Sequence, residues 1–207
     1  MSYTHTATIT LPRQALATMV KHLAKCTEKS RSVLSGILLS VQDSHFTTCA
    51  TDGKILLEYH LPSCVEHSRD FYLIIEPGSL YSASKIWQQS AKDCSSKPSV
   101  VITLEYSAGG AWLSCAETGS RAAFDYKNGT YPPYRNAIPS ETADCGVRLG
   151  FNSKYMAIIS AGVSAFARDS RTIMTTHGPG RGYTFEPMVQ SPYVQARGLV
   201  MPVTLPA

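Results

Sequence analysis

The sequence predicts an α+β fold assembled from three copies of one βαβββ unit, and three observations predict it. Residues 45–53, HFTTCATDG, resemble residues 111–119, AWLSCAETG, at an offset of 66. Leu11–Pro12 and Glu76–Pro77 each open a helix-like stretch, and the two prolines lie 65 residues apart. Each such stretch is followed by short alternating runs with β-branched residues, separated by turns containing Gly, Asp or Ser. The repeat therefore agrees at its helix start and at its turn. One such unit cannot bury its apolar face alone, so the copies must pack together.

The first unit reads as a strand at Thr6–Thr10 and a helix from Pro12 to about Cys26. Proline suits the first helical position because its missing N–H would be unpaired there anyway. Strands follow at Gly36–Val41, His45–Ala50 and Lys54–Leu61, with turns at Gln42–Ser44 and Thr51–Gly53. The second unit repeats this order: strand Phe71–Ile75, helix from Pro77 to about Ala91, then strands near Ser99–Tyr106, Ala111–Ala116 and Ser120–Tyr126. Ala108-Gly109-Gly110 punctuates a hairpin between two of them. The third unit reads as strand Gly146–Phe151, helix Asn152–Arg168 with Asn152 or Ser153 as cap, and strands Arg171–Thr176, Gly182–Val189 and Ala196–Leu205. Gly178-Pro179-Gly180 supplies a turn, but no ATDG-like segment occurs in this unit. The proline-rich Tyr131–Tyr134 stretch closes the second unit, and Ser140–Asp144 reads as a linker. The expected organisation is one complete two-unit domain, 1–139 (units 1–66 and 67–139), followed by a half domain, 140–207.

Composition narrows the function. The chain has 207 residues, of which 43% are hydrophobic and 16% charged, so it can bury a core and is not disordered. No apolar run approaches the ~18–20 residues of a membrane helix. The segment Met1–His5 shows no basic and apolar signal sequence, so the expected location is the cytoplasm. Six cysteines (Cys26, Cys49, Cys64, Cys94, Cys115, Cys145) show no C-x-x-C spacing and are read as reduced, buried residues. Neither a metal nor a cofactor is expected. Gly178–Gly182 is glycine-rich but lacks the order of a phosphate loop. Asp52, Glu117 and the histidines fall in or near turns without a nucleophile pattern, so they are read as turn and surface residues rather than a catalytic set.

Charge is unevenly placed. Nineteen Lys+Arg against fifteen Asp+Glu leave a formal +4. Yet the three helix-like stretches carry Arg13, Lys21, Lys25, Lys85, Lys92, Lys154 and Arg168 and no acid at all. On a helix, Lys85 and Lys92 fall about 20° apart, and Lys154 and Arg168 about 40° apart. Solvated helix faces ordinarily mix both signs, because Glu–Lys pairs one turn apart help the helix. A uniformly positive set suits a phosphate-bearing partner. No aromatics interleave with the lysines and no base-reading motif appears, so the expected binding is electrostatic and sequence-independent.

Three segments add a resemblance. Ala50-Thr51-Asp52-Gly53, the run Tyr131-Pro132-Pro133-Tyr134-Arg135-Asn136-Ala137-Ile138-Pro139 and Val200-Met201-Pro202-Val203 resemble, in this order, the ATDG, FPDYRRVLP and VMPM segments of bacterial β sliding clamps. The likeness spans nearly the whole chain and is thin between the motifs. Pro133 stands where the family usually has Asp, Asn136 where a second Arg is common, and Val203 replaces a Met. These changes lie at or near the partner groove, so partner preference is expected to differ.

The resemblance implies a sliding-clamp fold with helices lining a ring and sheets outside. It implies a non-enzymatic processivity factor that encircles double-stranded DNA and tethers a DNA polymerase and other clamp-binding proteins, with a clamp-loader ATPase as a further partner. The seven basic residues named above would face DNA. Thr51, Gly53, Lys54, Leu56, Pro132, Asn136, Ala137, Val200, Met201, Pro202 and Val203 would line a peptide groove between the first two units and the third. Family rings close with twelve units, so three units per chain favour a tetramer over a trimer of four shorter units. The alternative is a decoy or adaptor that binds clamp partners, or a host clamp, without encircling DNA.

Overall fold

The computed structural model describes residues 5–12, 14–31, 33–61, 65–90, 99–107, 110–139, 150–178 and 180–203, with the backbone alone at 65 and 86–90. The elements are β1 (His5–Pro12), α1 (Ala15–Leu23), β2 (Ile37–Gln42), β3 (His45–Thr51), β4 (Ile55–Leu61), β5 (Val65–His67), β6 (Phe71–Ile75) and α2 (Pro77–Ser90). They continue with β7 (Ser99–Ser107), β8 (Gly110–Cys115), β9 (Ser120–Phe124), β10 (Tyr126–Lys127), α3 (Ser153–Val163), β11 (Thr172–Thr175), β12 (Tyr183–Pro187) and β13 (Gln195–Val200). All strand pairing is antiparallel among the described residues.

Two sheets result. One runs β5-β1-β7-β8-β9, and the other runs β10-β6-β2-β3-β4-β13-β12-β11. The first two units exchange their first strands: β1 pairs with β7 of the second unit, and β6 pairs with β2 of the first. Neither unit has a complete sheet without the other. The third unit joins the first through β4 and β13, in the register Gln195↔His60 to Val200↔Ile55.

Alternation along the strands sorts the side chains. Ile37, Leu39 and Val41 of β2 and Ile55, Leu57 and Tyr59 of β4 face the helices and join the main core with Leu16, Met19, Val20 and Leu23 of α1. Leu38, Cys49, Leu56 and Leu199 face the other way into a second, smaller core capped by Leu34 and Tyr131. α3 packs so closely on the sheet that glycine is needed. A Cβ on Gly198 would fall 2.2 Å from Ile159 Cγ2, and one on Gly162 would fall 2.6 Å from Leu57 Cδ2. The fully buried Tyr59 donates its hydroxyl hydrogen to the Gly162 carbonyl at 2.8 Å, tying α3 to β4.

Several expectations are corrected. Pro12 ends β1 opposite Ser99 instead of opening a helix, and α1 begins at Ala15. The β1–β7 pairing claims that residue, and a proline is tolerated at a strand end. Beyond Leu23 the chain tightens into a 3-10 turn at Ala24–Cys26, so Lys25 leaves the α-helix. At Pro77 the start signal is correct. α3 stops at Val163, where the Ser164 hydroxyl donates back to the Ser160 carbonyl at 2.8 Å and a 3-10 turn follows. That turn sets Phe166 edge-on against Tyr59 at 5.5 Å. Arg168 therefore lies in the loop beyond, and its helical alignment with Lys154 does not exist. The last strand ends at Val200, with Val203 in an isolated bridge to Gly150. Residues 146–149 and 204–205 of the expected strands lie outside the described residues, whereas β5 was not anticipated.

Cys26, Cys49 and Cys115 are buried free thiols, while Cys64, Cys94 and Cys145 lie outside the described residues. Burial, and next Asp52, pushes the Cys26 thiol up to about 12, which keeps it a protonated core group. The close approach of α3 to β13 yields a test. Gly198→Ala should destabilise the protein by about 1–3 kcal/mol, because the fully buried Ile159 must shift, read as a lower urea midpoint at unchanged slope.

Candidate partner groove and basic helix faces

The ATDG turn is built by its own side chains. Asp52 Oδ1 accepts from the Lys54 and Ile55 backbone N–H groups at 2.8 Å each. Thr51 Oγ1 donates to the Ile55 carbonyl at 2.7 Å and accepts from Gly53 N–H at 3.0 Å. Gly53 has φ +87°, a conformation that L side chains rarely adopt. Met201 N–H then donates to the Lys54 carbonyl at 2.8 Å, which carries the β4–β13 ladder onto the turn. Thr51 and Asp52 thus act as turn formers. Glu117 does similar work, accepting from Val101 N–H at 3.0 Å.

Over this outer face lies the proline-rich segment. Tyr134–Ala137 form a 3-10 turn held by Asn136 N–H to the Pro133 carbonyl at 3.0 Å and Ile138 N–H to the Arg135 carbonyl at 3.1 Å. Tyr131 is buried against Leu38, Cys49 and Leu56 and meets Tyr134 edge-on at 6.3 Å. The Tyr134 hydroxyl donates to Glu58 Oε1 at 2.6 Å, and Arg135 Nη2 lies 3.6 Å from the same carboxylate oxygen. Burial, reinforced by Cys49 and Glu58, holds the Tyr134 phenol far above its usual range, so it remains a donor.

Between turn, ladder and segment opens a cleft of about 280 Å³. It is lined by Thr51, Gly53, Lys54, Leu56, Pro132, Ala137 and Met201, all expected from the sequence, together with Arg31, Leu34, Ile55, Pro133, Tyr134 and Leu199, which were not. Its charged lining, Arg31 and Lys54, is entirely positive. Four expected residues do not line it. Val200 is fully buried toward the helices, because alternation gives the outward place to its neighbour Leu199. Asn136 is exposed outside the cleft, and Pro202 and Val203 run on toward Gly150. Leu199 was legible in the alternation, and Pro133 and Tyr134 stand in the proline-rich segment already marked; Arg31 and Leu34 carried no local signal. Two further clefts, of about 300 and 410 Å³, flank the same proline-rich segment.

On the helix side, Lys21, Lys25, Lys85, Lys154 and Arg168 are exposed, whereas Arg13 and Lys92 lie outside the described residues. α1, α2 and α3 contain no acidic residue. Asn152 caps α3, its side chain accepting from Lys154 N–H at 3.0 Å. Lys85 Nζ sits 4.2 Å from the Tyr81 ring centroid. No group of three or more His, Cys, Asp or Glu residues that could hold a metal occurs among the described residues, and no helix there is long and apolar enough to cross a membrane.

These sheets, exchanged strands and helix positions define the sliding-clamp fold. Among solved structures, the chain is similar to the DNA polymerase sliding clamp of Pseudomonas aeruginosa, with TM-score 0.73 and 10% identity over 96% of this chain and 67% of that one. It is also similar to the Helicobacter pylori β clamp bound to a DNA ligase peptide (TM-score 0.70, 14% identity, 96% and 66%). The Bacillus subtilis sliding clamp matches at TM-score 0.63 and 14% identity, over 96% of this chain and 64% of that one. The chain thus spans about two thirds of the length of these proteins. No protein-family model and no curated protein matches the sequence.

Two half-buried histidines, His22 on α1 and His60 on β4, link stability to pH. Burial, followed by the charges of Lys25 and Lys21, holds His22 below its ordinary value. His60 is lowered too, chiefly by burial and then by His45. A histidine with a lowered folded pKa binds fewer protons folded than unfolded, so its contribution is complete above roughly pH 6.5 and is lost as pH falls below it. The melting temperature should therefore drop between pH 7 and pH 5. His22→Gln should reduce, but not abolish, that drop because His60 still titrates.

Proposed function

We propose that this protein is a DNA sliding clamp, a non-enzymatic processivity factor that encircles duplex DNA as a homo-oligomeric ring in the cytoplasm. The observation that carries the reading is the cleft lined by Thr51, Gly53, Lys54, Leu56, Pro132, Ala137 and Met201, where residues of the first two units meet the third on a sliding-clamp fold. Its Met and aliphatic lining suits short apolar peptides from several partners. A DNA polymerase is the foremost of these partners, and the ligase peptide on the H. pylori clamp supports a wider set. A clamp-loader ATPase would open the ring.

The basic residues of the three units line the hole in this reading, with Lys21, Lys25, Lys85, Lys154 and Arg168 exposed for that role. Arg13 and Lys92 are proposed with them from the sequence. Their contacts with phosphate are diffuse, which allows sliding where base-specific contacts would stall it. The chain divides into a complete domain, 1–139, and a half domain, 140–207, and a twelve-unit ring then takes four copies rather than three.

Two experiments test this. The ring should stay on nicked circular duplex in ~1 M salt and leave once the DNA is linearised, since topology outlasts screened phosphate contacts. Loss from both forms at equal rates would refute encirclement and favour the adaptor reading. A fluorescein-labelled clamp-binding peptide from a bacterial polymerase should bind the wild type, and Met201→Lys should weaken it by roughly tenfold or more, checked by anisotropy.

A further inference from the structure

We infer that the free edge of the third unit is a self-complementary interface, covered by the third unit of a second copy across a two-fold axis. The inference rests on the clamp reading and names its assembly contact. β11 stands in the third unit where β2 stands in the first, next to the strand that forms the outer hairpin. The far edge of β2 is filled by β6, the first strand of a sister unit. At the corresponding edge, β11 ends its sheet and has no neighbour among the described residues.

Side-chain exposure on β11 differs from that on β2. Met174 pairs with Phe185 and so faces the helix side, as Ile37, Leu39 and Val41 do in β2. Those three are 0–2% exposed, whereas Met174 is 44% exposed and its neighbour Ile173 on the other face 51%. Of the nine large hydrophobic side chains exposed among the described residues, these two lie on β11 itself. The first two units cover each other by exchanging strands and setting α1 beside α2. The third unit calls for the same cover, and the cover that this fold uses for such an edge is another βαβββ unit. The sister units within the chain are already paired, so the cover comes from a second copy.

The other open end is different in kind. β9 closes the second unit as β4 closes the first and β13 the third, and it ends its sheet among the described residues. The precedent for that edge is β4 against β13, last strand to last strand. One end of the chain therefore wants a first strand and a helix, the other a last strand. Like must meet like, each contact is isologous, and a closed ring holds an even number of chains. A head-to-tail trimer would join unlike edges.

Light scattering on the 207-residue chain and on Met174→Lys and Ile173→Lys tests this, since lysine on an edge strand blocks pairing. With chains of 22.5 kDa, the wild type should weigh about 90 kDa and each variant about half that, because the β9 contact survives. Variants that fall to single chains would overturn the inference, since one lesion breaks every contact in a head-to-tail ring. An unchanged mass, or a wild type that never exceeds a dimer, would also overturn it, the latter pointing to another protein at this edge. Peptide anisotropy on the same variants, read at the distant groove, shows that they are folded. If the masses fall as expected but no peptide binds any form, the clamp reading fails and the interface stands. Peptide binding with unchanged masses gives the reverse.

Discussion

The rest of the structure depends on the antiparallel ladder between β4 and β13. It joins residues far apart in sequence, Ile55–Leu61 and Gln195–Val200, into the middle of an eight-stranded sheet. Without it the third unit would have no tie to the first apart from helix packing. With it, backbone hydrogen bonding runs on from Val200 to Met201 and delivers that side chain beside the Thr51–Gly53 turn. α3 adds to the join, lying so near the ladder that only glycine fits at 162 and 198.

A sheet buried on both faces explains how the cleft arises. The helix side of the ladder is filled by the main core, and the outer side would expose Leu38, Leu56 and Leu199 to water. The segment 131–138 covers part of that surface, anchored by Tyr131 and by the Tyr134–Glu58 hydrogen bond. Cover that stops short leaves an apolar hollow rimmed by Arg31 and Lys54. Burying a carboxylate such as Glu58 is costly unless it is paired, and Tyr134 and Arg135 supply the pairing. That network stands beside the cleft and fixes the orientation of its wall.

The third unit is half satisfied by the same logic. Its inner edge is completed by the first unit, and its outer edge is left with exposed apolar groups. Exposed sheet edges are normally blunted by charge or proline, and β11, Thr172–Thr175, has neither. Meanwhile the three helices stay free of acid, so the charged side chains they carry are positive, and the outer side of the sheet carries the apolar hollow. A single fold thereby sets basic helices on one face of the sheet and an apolar hollow on the other.

By itself the sequence determined the repeat, the three helices, most strand positions and the ATDG turn. These depend on local periodicity, on Asp and Gly turn chemistry and on spacing along one chain. It also pointed, through three short segments in order, to seven of the residues that line the cleft. Tertiary structure decided the rest, wherever distant partners outcompete a local preference. Pro12 reads as a helix start but is taken by pairing with Ser99; Arg168 reads as helical, but the Ser164 turn and the Tyr59–Phe166 contact end the helix before it. Leu199 rather than Val200 faces the cleft because the register with β4 sets which alternate residue points outward. Arg31 and Leu34, in the loop before β2, reach the site only through tertiary packing beside the proline-rich segment. Which strands exchange, and which edge stays open, follows from long-range hydrogen bonding that no local pattern encodes.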